Sequence, residues 1–374
     1  MTAHLSVLIG VAIVLGTLVD AFEVVLLPRP VRRPLRLNRY FFQCTWWIWC
    51  RLAVRLPAGP RRENFVGIYG PLSMVLLFSL WATCLISGFG VLQWGLDRLQ
   101  SISQSSSLER EIIMSGDAFF TLGYGDIVPA RPLARLLIIL EAGTGFGFIA
   151  LTVSYLPVLY QHFTTRDVQL IELAVRAGSP PTGIGLLRWH AAKGDMRQMD
   201  EWLREWEHWA GELIESHSTY PMLAFYRSQH DGYSWLASTA MILDACTLII
   251  AGIEGGELMQ AAATFAAARR VLDEISRSLG VTPLRLPRAQ SLDGQLLAEL
   301  TTVFKRSVPD WRGDDRTVEH ISTLRQAYEP QLGGLSAYLL LPLPEWGSAR
   351  PIDPEDRVKD QVIRQLIGRV GPNR

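Results

Sequence analysis

The sequence predicts an all-α membrane protein with three transmembrane helices, followed by an all-α cytoplasmic domain. Three apolar runs, at 5–27, 71–91 and 133–160, are each long enough for a bilayer-spanning helix, which needs about 20 residues. After residue 163, apolar residues recur at helical spacing, and strand-like alternation is scarce. Only 19% of the 374 residues are charged, whereas an average soluble domain has roughly 25% charged residues.

The first apolar run lies within residues 1–28, which are predicted to form an N-terminal transmembrane helix. It is not expected to be a signal peptide, because it lacks a basic n-region and a small-residue cleavage site. Two acids, Asp20 and Glu23, lie one turn apart near its end. We expect them to reach water or to pair with Arg29 or Arg32, and any further role stays open.

Residues 29–68 are predicted to form a basic cytoplasmic loop that contains an interfacial helix. The loop holds nine arginines and a single acid, Glu63. The arginines are Arg29, Arg32, Arg33, Arg36, Arg39, Arg51, Arg55, Arg61 and Arg62. Residues 40–56 mix tryptophans with arginines and are too short and charged to span comfortably, which predicts an amphipathic helix at the membrane surface. We interpret the arginines as topology anchors that would also attract anionic lipid.

The placement of arginines also predicts the orientation in the membrane. By the positive-inside rule the basic loop is cytoplasmic, so the first helix runs inward and the second returns outward. Residues 96–131 then lie on the outer side, and the third helix delivers the chain to the cytosol. We therefore expect a multi-pass protein of the cell membrane, with its N-terminus outside and its C-terminal domain in the cytoplasm.

The most informative motif is Thr-Leu-Gly-Tyr-Gly-Asp at 121–126, which follows a short helix-like segment at 111–120. A dehydrated potassium ion needs a ring of oxygens in place of its water shell, and backbone carbonyls can supply that ring. Aligned carbonyls demand backbone angles that glycine tolerates, which explains Gly123 and Gly125. The motif therefore predicts a selectivity filter for K⁺.

The positions of this motif have different expected roles. K⁺ is expected to bind at Thr121, Leu122, Gly123 and Tyr124. The hydroxyl of Thr121 can add the lowest ring of ligands, while the side chains of Leu122 and Tyr124 are expected to pack behind the filter. Asp126 completes the motif.

This segment is similar to the pore of the potassium channel superfamily, whose filter is usually written TVGYGD. The resemblance covers about residues 70–160. Leu122 replaces the usual valine, whereas Ile127-Val128-Pro129 and the later Arg135 match the family pattern. The resemblance implies a pore domain at 69–162, built from an outer helix, a re-entrant pore helix, the selectivity filter and an inner helix.

One loop supplies only a quarter of a carbonyl ring, so a homotetramer is implied. The expected function is passive K⁺ conduction by a potassium-selective channel subunit. Two alternatives stay open: a membrane-anchored signalling or scaffold protein with a vestigial pore, and a non-selective cation channel. A potassium transporter would normally need several such loops in one chain, and this sequence has one.

The inner helix carries three glycines at alternate positions, which permit either a bend for gating or close helix packing. They are Gly143, Gly145 and Gly147. The resemblance places Gly145 at the hinge position of the family and turns Phe146, Ile149 and Val153 toward the central cavity. The hinge and packing interpretations both stay open.

Two further acids lie within the pore domain. Glu141 lies deep in the inner helix, where we expect it to pair with a polar group of a neighbouring helix. Asp117 precedes the filter by four residues, and our hypothesis is that it shares a proton with Asp126, since two nearby carboxylates rarely both stay ionised.

Residues 163–374 are predicted to form a helical cytoplasmic domain for regulation or assembly. Helical spacing predicts helices at 167–176, 185–192, 196–216, 233–252, 257–279, 293–304, 317–328 and 355–366. The stretch 235–253 is apolar enough to span a membrane, but Asp244 at its centre would cost about 2.5–3.5 kcal/mol there, which favours a buried central helix. The polar cluster at 226–231 is interpreted as a cap and core network rather than a ligand pocket.

Other function classes lack their sequence signals. No P-loop, HExxH or Ser/His/Asp arrangement is present, so we do not expect an enzyme, nor a cofactor other than the permeant K⁺. The absence of a GxGxxG motif after a strand argues against a nucleotide-binding Rossmann unit. No helix repeats arginine at every third position, which argues against voltage sensing. The formal net charge of zero argues against a nucleic-acid partner.

Overall fold

The computed structural model of the chain consists of helices and their connections. It describes residues 2–27, 37–100, 107–125, 131–177, 182–191, 196–230, 233–253, 258–284, 298, 301–302, 304 and 311–344. Within these ranges there is no strand, and the only β-type pairing is an isolated bridge between Ile253 and Trp311. The chain divides into two compact units, Met1–Phe163 and Thr164–Arg374. The predicted class, an all-α membrane protein, is confirmed.

The first unit is built on three long apolar helices and two shorter ones. They are α1 (Thr2–Val25), α2 (Leu37–Ala53), α3 (Pro60–Gln100), α4 (Leu108–Phe119) and α5 (Pro132–Ala177). The predicted spans at 71–91 and 133–160 fall within α3 and α5, and the span at 5–27 overlaps α1 up to Val25; each of these helices is long and apolar enough to cross a membrane. The separate helix predicted at 167–176 is wrong, because α5 continues through it. No glycine or proline occurs between 161 and 176 to end the helix.

Glycines bring α1 into close contact with α3. A Cβ on Gly10 would lie 2.7 Å from the backbone nitrogen of Leu92, and one on Gly88 would lie 2.9 Å from Ile13 Cγ2. Small residues allow membrane helices to approach this closely, where dispersion contacts replace the missing hydrophobic drive. The N-terminal helix is therefore an integral part of the first unit.

Asp20 joins three helices of this unit. The indole Nε1 of Trp81 in α3 donates to its Oδ2 at 2.9 Å, and the backbone nitrogen of Asn38, in the first turn of α2, donates to its Oδ1 at 3.3 Å. Only 6% of Asp20 is exposed. Asp20 therefore does not reach water, because tertiary hydrogen bonds replace that contact; Arg29 and Arg32, its other expected partners, lie outside the described residues.

Aromatic side chains hold α2 against the N-terminal part of α3. The rings of Trp49 and Phe65 stack at 4.5 Å, and those of Trp46 and Tyr69 meet edge-on at 4.7 Å. The other face of α2 exposes large apolar side chains, namely Tyr40, Trp47, Ile48 and Leu52. The helix predicted at 40–56 is confirmed as α2 and has one packed face and one exposed apolar face.

The second unit contains the C-terminal part of α5 and the remaining helices. They are α6 (Gly183–Ala191), α7 (Met196–Thr219), a 3₁₀ helix (Pro221–Phe225), α8 (Trp235–Gly252), α9 (Met259–Leu279), α10 (Asp315–Gln326) and α11 (Glu329–Leu339). The predicted helices 185–192, 196–216, 233–252, 257–279 and 317–328 are confirmed. The prediction missed α11, whose Pro330, Gly333 and Gly334 obscure helical spacing. The predicted helix 355–366 and most of 293–304 lie outside the described residues.

The central helix of the second unit is α8. All its residues except Ile250 are buried, and it packs against α6, α9, α10 and α11. Its only acid, Asp244, accepts a hydrogen bond of 2.6 Å from the hydroxyl of Tyr328. The prediction of a buried central helix is therefore confirmed, although α8 is also long and apolar enough to cross a membrane.

The polar cluster at 226–231 forms a network with the C-terminal part of α5. Arg166 donates to the carbonyl oxygens of Leu223 at 3.0 Å and Tyr226 at 2.9 Å, and Asp167 accepts from Ser228 Oγ at 3.0 Å. This agrees with a core network rather than a ligand pocket; residue 231 lies outside the described ranges.

Candidate functional site

The candidate site begins with α4, which ends one residue before an irregular segment. Ser107 caps its N-terminus, because its hydroxyl accepts a 3.2 Å hydrogen bond from the backbone nitrogen of Arg110. Glu109 and Glu111 in the first turn suit the positive end of the helix dipole. The predicted short helix before the motif is therefore well defined at both ends.

The backbone of the motif alternates in handedness. Thr121, Gly123 and Gly125 have φ values of +54°, +73° and +73°. This left-handed region is accessible to glycine and is disfavoured for Thr121. Leu122 and Tyr124, at the intervening positions, are exposed in the single chain. Asp126 lies outside the described residues, as does the continuation 127–130.

Asp117 anchors this segment to α4. Its Oδ1 accepts a 3.1 Å hydrogen bond from the backbone nitrogen of Tyr124, seven residues later. The backbone nitrogen of Leu122 donates to the carbonyl oxygen of Asp117 at 2.9 Å. Asp117 therefore holds the motif through backbone amides, a role that the sequence did not indicate; its hypothesised partner Asp126 is not among the described residues.

Gly145 of α5 meets the C-terminal end of α4. A Cβ built on Gly145 would overlap the carbonyl oxygen of Phe119 and lie 2.7 Å from its carbonyl carbon. The same Cβ on Gly143 or Gly147 would have no heavy atom within 4 Å. Of the two interpretations of Gly145, the geometry supports packing, and its role as a hinge stays a prediction.

The three residues expected to face a cavity share one side of α5. Phe146, Ile149 and Val153 follow the spacing i, i+3, i+7, which places them on one helix face. Their exposed fractions are 71%, 43% and 67%. In the single chain they form an apolar stripe open to solvent.

Glu141 is buried at the meeting point of α3, α4 and α5. None of its surface is exposed. Gln93 Nε2 of α3 donates to its Oε2 at 3.0 Å, and Ser115 Oγ of α4 contacts its Oε1. Ser115 Oγ also lies 2.7 Å from the carbonyl oxygen of Ile86. The predicted pairing of Glu141 with polar groups of neighbouring helices is confirmed.

The sequence did not indicate Gln93 or Ser115 as residues of the site. Both are isolated polar residues in apolar surroundings, which is the signal that could have marked them. Gly90, one turn before Gln93, shows the same close contact: a Cβ there would lie 2.9 Å from Ile112 Cγ1 of α4. The polar pair therefore lies where α3 and α4 are already in close contact.

Comparison with known proteins finds a family model that this segment resembles. Residues 73–161 match the family model described as "Ion channel". A relative from Bacillus subtilis, the uncharacterized membrane protein YdjJ, is 27% identical over 214 residues, which cover 55% of this chain and 60% of the relative. No solved structure matches the chain. The matched residues contain most of α3, all of α4, the motif and the first part of α5. The chain is thus a membrane protein, and its residues 73–161 are similar to the ion channel family.

Proposed function

We propose that the chain is one subunit of a potassium-selective channel that conducts K⁺ passively through a homotetrameric pore. The observation that carries the proposal is the alternating backbone of 121–125, directly after α4 and inside the matched ion channel segment. Left-handed residues at every second position allow successive carbonyls to turn toward one axis, as a dehydrated K⁺ requires.

The carbonyls of Thr121, Leu122, Gly123 and Tyr124, with the Thr121 hydroxyl, would coordinate K⁺. The hydrogen bond from the Tyr124 nitrogen to Asp117 supports the geometry of this segment. Each chain brings a single loop, so four copies are needed to close a ring of ligands.

The inner helix α5 would line the pore and gate it. The exposed apolar stripe of Phe146, Ile149 and Val153 supports a position facing the cavity, because no helix among the described residues of the single chain covers it. Gly145 would be the point about which the helix moves, and the second unit would regulate that movement or assemble the tetramer.

The proposed orientation has the N-terminus outside and the second unit in the cytoplasm. The arginines of residues 29–68 support this direction. The exposed face of α2 would then lie in the cytoplasmic headgroup region, where tryptophan and arginine are favourable. Arg51 lies 3.8 Å above the ring of Trp47, an arrangement that presents apolar surface and charge together.

Ion flux through the reconstituted full chain tests the proposal. Liposomes loaded with K⁺ should lose it much faster than liposomes loaded with Na⁺. Gly123→Ala should reduce the ratio of K⁺ to Na⁺ flux, because its left-handed backbone disfavours a side chain. Gly143→Ala is the matched control, since its Cβ would meet no atom within 4 Å.

Other outcomes would contradict the proposal in distinct ways. Equal fluxes of K⁺ and Na⁺ would indicate a non-selective cation channel. No flux of either ion would indicate a vestigial pore on a signalling or scaffold protein. The mass of the purified complex in detergent checks the tetramer, and a mass other than that of four chains contradicts it.

A further inference from the structure

The buried contact around Glu141 lies outside the residues proposed to coordinate K⁺. It joins three helices of the pore domain through one polar side chain from each: Gln93 of α3, Ser115 of α4 and Glu141 of α5. Glu141 has no exposed surface, and its two hydrogen-bonding partners, Gln93 and Ser115, are both neutral. Burying an ionised carboxylate without a neighbouring cation costs free energy, so the protonation of Glu141 determines how favourable this contact is.

Counting protons distinguishes the two states of Glu141. Ser115 has one hydroxyl proton, and two acceptors lie within its reach: the carbonyl oxygen of Ile86 and Glu141 Oε1. An ionised Glu141 can only accept, so either Ile86 or Glu141 would then lack its hydrogen bond to Ser115.

A neutral Glu141 satisfies Ser115, the Ile86 carbonyl oxygen and both oxygens of its own carboxyl group. Its Oε1–H donates to Ser115 Oγ, and the Ser115 hydroxyl donates to the Ile86 carbonyl oxygen. Gln93 Nε2 donates to the remaining oxygen, Oε2, at 3.0 Å. This arrangement is more favourable than the ionised one, which leaves an acceptor of the Ser115 hydroxyl without its hydrogen bond.

Among the described residues, the titratable groups one turn from Ser115 and Gln93 on the helix faces next to Glu141 carry no positive charge. Glu111 lies one turn before Ser115 on α4, and Asp97 lies one turn after Gln93 on α3. Both are acids, so neither supplies a cation that would offset an ionised Glu141.

The contact acts on the end of α4 that leads into the motif. Glu141 and Gly145 are one turn apart on α5, and their partners Ser115 and Phe119 are one turn apart on α4. The two helices therefore touch at two consecutive turns, directly before Thr121. A displacement at Ser115 would reach the motif through this short rigid segment.

We propose that Glu141 is a positioning residue, held as a neutral carboxylic acid, that keeps α4 in place and makes conduction depend on pH. The proposal rests on the proposed channel function. Loss of the Glu141 proton leaves Ser115 with two acceptors for one proton. One hydrogen bond is then lost, which weakens the packing of α4 against α3 and α5. Conduction then falls as the pH rises, and recovers when the proton returns.

The pH dependence of K⁺ flux through the full chain in liposomes tests the proposal, with Glu141→Gln as the decisive variant. Glutamine keeps a donor and an acceptor but does not titrate. Wild-type flux should fall at alkaline pH, toward about tenfold for each pH unit beyond the midpoint, as the protonated fraction does. Glu141→Gln should conduct at the wild-type neutral-pH level with a flat profile. Glu141→Gln that titrates like the wild type, or that conducts at no pH, overturns the proposal.

Infrared spectroscopy gives a readout that does not require conduction. The wild type at neutral pH should show a protonated-carboxyl band that disappears in Glu141→Gln and at alkaline pH. Absence of that band at neutral pH overturns the proposal. A wild type that shows the band but conducts no ion contradicts the proposed function and leaves the protonated state of Glu141 supported, which separates the two failures.

Discussion

Gly145 of α5 and Phe119 of α4 touch backbone to backbone, so that a single added methyl group would overlap the Phe119 carbonyl oxygen. Phe119 is fully buried, in a cluster with Val14, Leu85 and Phe89. The carbonyl therefore has little room to retreat. This contact fixes the distance between the inner helix and the last turn before the motif.

Gly145→Ala is expected to destabilise the pore domain by about 1–3 kcal/mol, the usual cost of overpacking. Gly143→Ala should be neutral or stabilising, because alanine favours a helix by about 1 kcal/mol over glycine and its Cβ meets no atom. Thermal unfolding of the detergent-solubilised chain measures both effects.

Single-channel recording of the same two variants separates hinge from packing. Both remove a glycine from α5, so a hinge mechanism that needs only helix flexibility predicts lower open probability in both. A packing mechanism predicts a change in Gly145→Ala alone. Unchanged gating in Gly145→Ala would exclude both roles.

Arg166→Ala is expected to cost about 3–5 kcal/mol of stability in the second unit, as for a buried ion pair that loses one partner. The substitution removes hydrogen bonds to two carbonyl oxygens, those of Leu223 and Tyr226, and leaves the buried Asp167, 3.6 Å away, without its cation. Chemical denaturation of the full chain measures the loss.

Arg270→Ala is the control for that measurement. Its side chain is 72% exposed and pairs with Glu274 at 3.9 Å along one helix face, and such pairs contribute only about 0.3–0.5 kcal/mol. Equal losses in the two variants would show that the Arg166 network adds nothing beyond a surface charge.

Tyr328→Phe should destabilise the second unit by about 1–3 kcal/mol, because it leaves the buried Asp244 carboxylate without the hydroxyl that donates to it at 2.6 Å. The partly exposed Tyr233 offers a matched control through Tyr233→Phe, which should change stability little. Chemical modification of the buried Cys246 thiol requires that α8 become exposed. It should therefore be faster in Tyr328→Phe than in the wild type. An unaltered rate would argue against the role assigned to this hydrogen bond.

Trp81→Phe should weaken the attachment of α1 to α3 by about 1 kcal/mol, a usual contribution of a hydrogen bond between membrane helices. The substitution keeps an aromatic ring but removes the indole N–H that donates to Asp20. Trp47→Phe, at an exposed site on α2, is the comparison. Protease resistance of residues 1–27 in detergent measures the attachment, and identical digestion of both variants contradicts the prediction.

Local patterns predicted most of the helices but little of their contacts. Hydropathy located α1 and the apolar parts of α3 and α5, yet it underestimated α3 and α5, which are 41 and 46 residues long. Hydropathy marks the apolar part of a helix, whereas α3 and α5 continue into polar sequence and even through Pro71 and Pro157.

At the candidate site, too, the local backbone was predicted but the contacts between helices were not. The alternating glycines at 123 and 125 predicted an unusual backbone, and positive φ occurs there. In contrast, the contact of Gly145 with Phe119 and the contacts of Glu141 join residues 26 to 48 positions apart. Such pairs depend on how helices cross, which no short sequence window contains.

The placement of Asp244 within α8 has a consequence for how the chain is made. During synthesis α8 leaves the ribosome before α9, α10 and α11 exist, so for that interval this largely apolar helix of 18 residues is accessible to the insertion machinery. The carboxylate at the middle of the segment then makes insertion less favourable by about 2.5–3.5 kcal/mol. Only after Tyr328 has been translated can the same carboxylate accept its hydroxyl. One side chain thus acts twice, first disfavouring entry of the nascent segment into the bilayer and later joining the core that encloses it.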